Sequence, residues 1–451
     1  MSAVVRQAYR FALDPSPTQA RALARHAGAA RFTVNWALAR VRADLAQRAA
    51  ERSYGIAAQD LTPALGWSLP ALRRAWNQAT DEVAPWWVEC SQEAFNTGLD
   101  GVAGGLANWA ASRSGKRKGR RVGFPRFRSR RRARPSVRFT TGAIRVAADR
   151  RHLTLPRLGR IRTHESTRKL ARRLEAGTAR ILSAAVRPEA GRWFCSFTVQ
   201  VDRAVRAPRR PAAAVGVDLG VSNLAVLSTG ARVPNPRHLD AATRRLRAAA
   251  RAMSGRAGPD HRAGLRPSKR WERARHRAAR LHARVANRRR DGLHKLTTGL
   301  ARGYGTVVIE DLNVAGMLAN RRLARRLADA GFGEIRRQLA DKTAWNGGVL
   351  VVADRWFPSS KTCSACQPVK PKLSLATRVF ICEDCGLVLD RDLNAARNLE
   401  QHVARSGQET QNGRGADQKT RPSRAGGCEA STPHRTTGQD GDRPLATASC
   451  E

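Results

Sequence analysis

The chain has 451 residues and a formal net charge of +47, with 83 lysine and arginine residues against 36 acidic ones. That length can hold two or three domains with separate cores. The widely spread positive charge predicts nucleic acid as the partner, because Lys and Arg displace condensed counterions from phosphates. No run of about 18 apolar residues and no signal-peptide core occur, so we expect no membrane partner and a cytoplasmic, nucleoid-associated protein. A basic membrane-surface protein is the alternative, and it would need an amphipathic anchor that we do not find.

The first segment, Val4 to Leu13, alternates polar and apolar residues and predicts a strand. Ser16 and Gln19 then form a capping-box pattern with Pro17 at the first helical position. Helical periodicity continues, with interruptions, to about residue 112. We interpret the tryptophans of this region as core residues rather than as a platform for stacked bases.

Residues 113–138 are strongly basic and interleave cations with Phe124, Pro125 and Phe127. Such a run is either a solvated loop or a phosphate-binding segment. The interleaved aromatic residues favour phosphate contact. The candidate nucleic-acid-binding residues here are Lys116, Arg117, Lys118, Arg120, Arg121, Arg126 and Arg128.

Short strands follow over residues 137–201, and apolar residues occupy every second position from Trp193 to Val201. A small barrel or sandwich, completed by the N-terminal strand, is the expected arrangement.

An α/β pattern begins at Ala212. One strand ends at Asp218 and another at Glu310, and a helix begins at Asp392. A long basic helix over about 267–300 is either a solvated surface or a contact for a nucleic-acid backbone, and we favour contact. Its candidate residues are Arg277, Arg284, Arg288 and Arg289.

Three acidic positions stand out against this basic background. Apolar strands lead into Asp218 and Glu310, and a carboxylate in such a position is costly unless a cation compensates it. Each acid alone could be an ordinary strand end or helix cap, but three together predict a site for Mg²⁺ or Mn²⁺, the metals that hard oxygen ligands prefer. Asp354 is a fourth candidate, whereas Asp311 and Asp390 should point away or cap the helix.

Four cysteines form two Cys-x-x-Cys pairs, which in a cytosolic chain indicate metal more often than disulfides. Cys363, Cys366, Cys382 and Cys385 have the spacing of a structural, tetrahedral Zn²⁺ site. Lys361 and Arg378 are expected to help hold the thiolates.

Together these motifs resemble the TnpB (OrfB) family of transposon-encoded proteins, relatives of the compact type V CRISPR nucleases. The similarity covers roughly residues 4–400, and two departures are Gln367, where the family usually has Gly, and the tail past about 404. The motifs that carry the resemblance are Ala8 to Phe11, Pro15 to Gln19, Arg31 to Leu38, Gly123 to Ser129, Gly216 to Gly220, Ala286 to Asp291 with His294 and Lys295, Ile309 to Leu312, Pro358 to Cys363, and Asp390 to Asn398.

The resemblance implies a multidomain α/β and β fold, in which an RNase H-like RuvC domain carries a zinc-ribbon insertion and an N-terminal wedge-type β-barrel carries a helical recognition insertion. It also implies a guide RNA from the transposon end, target DNA and a companion transposase as partners. By position, Asp218, Glu310 and Asp392 match the family's catalytic carboxylates. The expected domains are the barrel (1–14 and 124–205), the helical domain with its basic linker (15–123), the nuclease domain (206–356 and 390–403), the zinc ribbon (357–389) and a disordered tail (404–451).

These features predict an RNA-guided, metal-dependent DNA endonuclease of a mobile element that cleaves phosphodiesters with two metal ions. Two alternatives stay open. One is a guided DNA-binding repressor without cleavage, and the other is an accessory transposition factor that binds element DNA without a guide.

Overall fold

The structure is a computed structural model that describes residues 2–130, 133–140, 143–260, 262–374 and 376–412. The N-terminal half forms the following elements: β1 (Ser2–Asp14), α1 (Pro17–Ser53), α2 (Leu69–Val83), a 3₁₀ turn (Pro85–Glu89), α3 (Gln92–Arg113), β2 (Val137–Phe139), β3 (Arg145–Val146), β4 (His152–Leu155), β5 (Gly159–Thr163), α4 (Arg168–Glu175), β6 (Ala179–Glu189) and β7 (Arg192–Ala204).

The strands of this half form one seven-stranded sheet in the order β2-β6-β7-β1-β5-β4-β3. The N-terminal strand β1 lies in its centre, antiparallel to β7 from Ser2↔Ala204 to Leu13↔Trp193, so the expectation that it completes the sheet is confirmed. Among the described residues the pairing order leaves β2 and β3 at the two ends. Closure into a wedge-type barrel therefore stays a prediction.

The period-2 pattern of β7 is confirmed, because Cys195, Phe197, Val199 and Val201 are all buried. The capping box of α1 is also present, with Ser16 and Gln19 bonded to each other's backbone. Helix α4 interrupts the predicted run of strands; it buries only Leu170 and Ala171, too short an apolar pattern to be recognised beforehand.

Helices α1, α2 and α3 share one core with this sheet. Trp76 is 1 % exposed and stacks on Phe95 with ring centroids 5.0 Å apart, while Trp67 packs edge-on against Trp109. The interpretation of these tryptophans as core residues is confirmed.

The C-terminal half forms β8 (Arg210–Asp218), β9 (Asn223–Leu227), β10 (Arg232–Pro234), α5 (His238–Ser254), α6 (Lys269–Gly303), β11 (Tyr304–Glu310), α7 (Val314–Ala319), α8 (Ala324–Ala330), α9 (Phe332–Trp345), β12 (Val349–Ala353), β13 (Val379–Ile381), β14 (Val388–Asp390) and α10 (Arg391–Asn412).

A five-stranded sheet, in the order β10-β9-β8-β11-β12, organises this half. Strands β8, β11 and β12 are parallel, and β9 returns antiparallel to β8. Because successive strand residues point to opposite faces, Val307 and Ile309 face the core built with α6 and α9, whereas Val308 faces Leu399 of α10. One helix layer thus covers each face.

The predicted start of the disordered tail at residue 404 is wrong, because α10 continues to Asn412. Ala395, Ala396 and Leu399 are buried in the first part of this helix, and each further residue added to a formed helix costs little. Residues 413–451 lie outside the described residues.

Helices α5, α7 and α8 were not predicted. Within the described part of the chain, no helix is both long enough and apolar enough to cross a membrane.

Candidate active site

Asp218 and Glu310 lie side by side at the carboxyl ends of two neighbouring strands. The parallel register of β8 and β11 pairs Val217 with Ile309, so the next residue on each strand is one of the two acids. Both side chains are half-buried. Strand alternation places them on the face that α10 covers, the face shared with Gly216 and Val308.

Asp392 reaches the same place because α10 lies directly on the backbone of β8. A Cβ atom on Gly216 would lie 1.8 Å from the carbonyl oxygen of Ala396 and 2.6 Å from the backbone nitrogen of Glu400. Only glycine permits so close an approach. Asp390 accepts hydrogen bonds from the N–H groups of Asp392 (3.1 Å) and Leu393 (3.0 Å), so its predicted role as a helix cap is confirmed.

The three acids line one cavity of about 400 Å³. Ser360, Arg378 and Arg391 line it too, so the cavity holds cations as well as carboxylates. Among the described residues, only the four cysteines form a group of three or more possible metal ligands (His, Cys, Asp or Glu) with all donor atoms within 4.8 Å of one another. The three carboxylates therefore share a cavity without meeting that closely.

The pKa of Asp218 is raised to about 8, first by burial and then by the negative charges of Glu310 and Asp392, while Arg391 opposes this rise. Like charges in a low-dielectric site disfavour ionisation. A divalent cation would remove this penalty, and a set of carboxylate oxygens fits Mg²⁺ or Mn²⁺.

Glu310 is held by a residue that sequence reasoning missed. The hydroxyl of Ser359, which is 3 % exposed, donates a hydrogen bond to Oε1 of Glu310. The two residues are far apart in sequence, and a serine in a loop carries no signal of its partner. The available sequence signal for Ser359 was its place in the motif Pro358 to Cys363, one of those that carry the family resemblance.

Two asparagines of α10 fix the same loop. Nδ2 of Asn394 donates to the carbonyl of Thr362 (2.7 Å), and its Oδ1 accepts from the N–H of Ser364 (2.9 Å). One turn later, Nδ2 of Asn398 donates to the carbonyls of Ser359 (2.8 Å) and Thr362 (2.7 Å). Both asparagines are fully buried. Glu310, the start of the cysteine module and the helix of Asp392 are therefore joined by direct hydrogen bonds.

The four cysteines converge as their spacing predicts. Their sulfur atoms all lie within 4.8 Å of one another, and the Cys363–Cys385 and Cys366–Cys382 pairs are 3.7 and 3.5 Å apart. Those separations are too long for disulfides, whose sulfurs lie about 2.05 Å apart. Four thiolate donors in this arrangement fit a closed zinc site.

Gln367 adopts φ +83°, the left-handed conformation that favours the glycine usual at this position. The cysteines converge despite this strain, and Nε2 of Gln367 donates to Oε1 of Gln401 at 3.0 Å. The expectation about Lys361 and Arg378 needs correction. Lys361 donates to the carbonyl of Pro371, and Arg378, the residue before β13, lines the carboxylate cavity, where its carbonyl accepts from the N–H of Arg391 (2.9 Å).

Two further acidic residues, Asp311 and Asp354, lie outside the carboxylate cavity. Asp311 points away as expected and forms ion pairs with Arg336 and with Arg355, the latter at 2.7 Å. Asp354 is exposed and accepts from the N–H of Trp356. It does not line the carboxylate cavity.

Most of the candidate nucleic-acid-binding residues are exposed and can contact a ligand. Phe124 and Phe127 anchor their segment, since Phe124 packs on Trp109 and the guanidinium of Arg42 lies 4.6 Å from the ring of Phe127. Arg289 is half-buried and forms an ion pair with Asp329 at 3.2 Å, so it holds α6 to α8. The exposed candidates are Lys116, Arg117, Lys118, Arg120, Arg121, Arg126, Arg128, Arg277, Arg284 and Arg288.

Known proteins match nearly the whole chain. A protein of Mycobacterium tuberculosis named "Putative RNA-guided DNA endonuclease" is 43% identical over 450 residues, covering 94% of this chain and 93% of its own length. The family model OrfB_IS605, described as "Probable transposase", matches residues 196–321. The chain belongs to the TnpB (OrfB) family. A relative with the same name from Streptomyces pristinaespiralis is 37% identical and covers 88% of this chain and 89% of its own.

Two other family models also match this TnpB-family chain. Residues 332–399 match "Cas12f1-like, TNB domain", and residues 1–49 match "Helix-turn-helix domain". The latter segment forms β1 and most of α1 here. A solved Cas12f1–sgRNA–target DNA complex is similar at a TM-score of 0.47 and 12% identity, covering 88% of this chain and 99% of that one.

Proposed function

We propose that this chain is an RNA-guided, divalent-metal-dependent DNA endonuclease encoded by a transposable element. The observation that carries the proposal is the convergence of Asp218, Glu310 and Asp392 on one cavity in a protein of net charge +47. The names of the relatives at 43% and 37% identity support the same activity.

In this proposal Asp218 and Asp392 hold the catalytic metals and Glu310 completes their coordination. Two bound Mg²⁺ or Mn²⁺ ions would supply water activation and stabilisation of the leaving oxyanion. Burial favours the protonated form of Asp218. Binding of a cation would release this proton, because the metal ligand is the carboxylate. Ser359 fixes the orientation of Glu310, and the exposed guanidinium of Arg378 is available to the target phosphate.

The partners of the proposed enzyme are a guide RNA and a target DNA. Base pairing reads the sequence, and the protein binds the backbone of the heteroduplex. The exposed cations of residues 113–130 and of α6 supply this contact.

The domain division and the zinc ribbon belong to the same proposal. The five-stranded sheet with its helices forms the RuvC-like nuclease domain. The ribbon, with Zn²⁺ on Cys363, Cys366, Cys382 and Cys385, lies between β12 and α10.

The decisive experiment compares Asp392→Ala with Asp354→Ala, an exposed acid outside the cavity. RNA that co-purifies with the protein is sequenced, and cleavage of a plasmid bearing the guide-matched target is measured with Mg²⁺. The Asp392 variant should keep its RNA and lose cleavage, whereas the Asp354 variant should cleave like the unmodified protein.

Undiminished cleavage by the Asp392 variant refutes the proposed site. An unmodified protein that binds guide and target without cutting is instead a guided repressor. A protein that carries no RNA is an accessory DNA-binding factor.

A further inference from the structure

A second cavity, of about 260 Å³, shares no lining residue with the carboxylate cavity and lies between α1, residues 128–130 and 133–136, and the β6–β7 hairpin. Its lining includes four arginines, Arg31, Arg128, Arg130 and Arg134, and Trp193 of β7. We call it the arginine cavity.

The charge of this cavity is not neutralised by the described part of the chain. None of its lining residues is acidic, and none of its four arginines forms a salt bridge with a described residue. A guanidinium presents several donors that match phosphate oxygens in pairs. The cavity is therefore suited to an anion.

The fold fixes the backbone at one of these arginines, Arg128. The side-chain amide of Asn35 clamps the backbone of Arg128 from both sides, donating to its carbonyl oxygen (3.0 Å) and accepting from its N–H (2.7 Å). Such preorganisation reduces the entropy lost on binding.

The floor of the cavity is apolar. Ala24, Ala27 and Ala30 of α1 line it, and a Cβ atom added to Gly28 would meet no atom within 4 Å. The half-buried Trp193 also lines the cavity. Small side chains in one cavity with an aromatic residue leave room for a flat ring, and bases of unpaired strands stack on aromatic side chains.

We propose that the arginine cavity receives one unpaired nucleotide of a bound strand, with the base between Trp193 and the small residues of α1 and the phosphate on the arginines. The proposal deepens the proposed function, because a guide RNA and a displaced DNA strand can each supply the nucleotide.

The test fills the cavity without removing charge. Gly28→Leu projects a side chain into the open space, and Leu is favoured over Gly in a helix, so the fold should be kept. Gly104→Leu is the matched control, since Gly104 is also inside a helix and has nothing within 4 Å of an added Cβ. Arg134→Gln removes one exposed charge.

Binding of the full chain to fluorescent single-stranded RNA and single-stranded DNA oligonucleotides is measured in EDTA over a series of salt concentrations. Gly28→Leu should weaken binding of at least one oligonucleotide about 5- to 100-fold, the range of one stacked base. Its salt slope should match that of Gly104→Leu. Arg134→Gln should flatten the slope by about 1 for one lost phosphate contact. The strand that is affected identifies the source of the nucleotide.

Equal affinities of Gly28→Leu and Gly104→Leu for both oligonucleotides would overturn the proposal. EDTA removes cleavage from the measurement, so this result leaves the nuclease proposal standing. Failure of the unmodified protein to bind either strand would refute both proposals.

Discussion

Asp218 is an acid that ionises reluctantly in the folded protein. Its pKa is about 8 when no cation is bound, because of burial and of the charges on Glu310 and Asp392. An unfolded aspartate ionises near pH 4. Between these values the unfolded chain has released the proton and the folded chain has kept it, so the free energy of unfolding falls as pH rises from about 4 to about 8.

We therefore predict that Asp218→Asn stabilises the metal-free protein at neutral pH by up to about 4 kcal/mol, because the amide has no proton to release. The gain should shrink at pH 4 and also when Mg²⁺ is added. Thermal melts of the two proteins at pH 4 and pH 8, with and without Mg²⁺, measure it. A gain that does not depend on pH would contradict the shifted ionisation of Asp218.

Ser359 offers a second test at single-residue resolution. Ser359→Ala removes the hydrogen bond to Glu310, and a bond to a charged group contributes roughly 1.5–3 kcal/mol. We predict about a 10- to 100-fold slower cleavage under single-turnover conditions, with guide and target affinity unchanged. Ser359→Thr keeps a hydroxyl and should recover most of the rate. Equal loss in both variants would mean that the loop, and not the hydroxyl, matters.

At the scale of the elements, the close packing of α10 on β8 depends on one glycine, Gly216. Gly216→Ala would place a methyl group against the backbone of Ala396, and overpacking of this kind costs roughly 1–3 kcal/mol. We predict a lower melting temperature and a larger loss of cleavage than of RNA binding, because Asp392 moves with the helix. Gly333→Ala in α9, where an added Cβ meets nothing within 4 Å, is the control and should be neutral or stabilising.

Sequence reasoning reached the strands of Asp218 and Glu310 and the helix of Asp392 because each has a local signal, an apolar run or a helix start. It missed α5, whose residues bury little besides Ala249. It also missed Ser359, Asn394 and Asn398, whose partners lie in distant segments. The spacing of the four cysteines was enough to predict correctly that they converge, because each Cys-x-x-Cys pair constrains its own geometry.

Across the whole molecule, charge should control nucleic-acid affinity. If roughly 6–10 phosphates are neutralised, affinity should fall about 10³- to 10⁵-fold between about 50 and 200 mM salt. Arg284→Gln should reduce the salt slope by about 1, because Arg284 is exposed. Arg289→Gln should instead lower the melting temperature, because it breaks the ion pair with Asp329. A salt-independent affinity would exclude backbone recognition.

We expect the proposed zinc ribbon to connect stability to catalysis. Structural zinc contributes on the order of 10 kcal/mol of folding free energy, and the loop that opens the ribbon holds Glu310 and α10. We predict that chelation of zinc, or Cys382→Ser, lowers the melting temperature and abolishes cleavage. Zinc returned to the chelated protein should restore both properties, and colorimetric zinc release follows the loss. Full cleavage by the zinc-free protein would contradict this connection.

The order of the three carboxylates along the chain has a consequence for synthesis. A ribosome releases Asp218 and Glu310 well before α10, and the surface around Gly216 stays uncovered until that helix emerges. A nascent or prematurely terminated polypeptide that ends before residue 392 therefore lacks Asp392. In the proposed enzyme, the capacity to cut therefore arrives only with α10, after the strands of the other two carboxylates have been made.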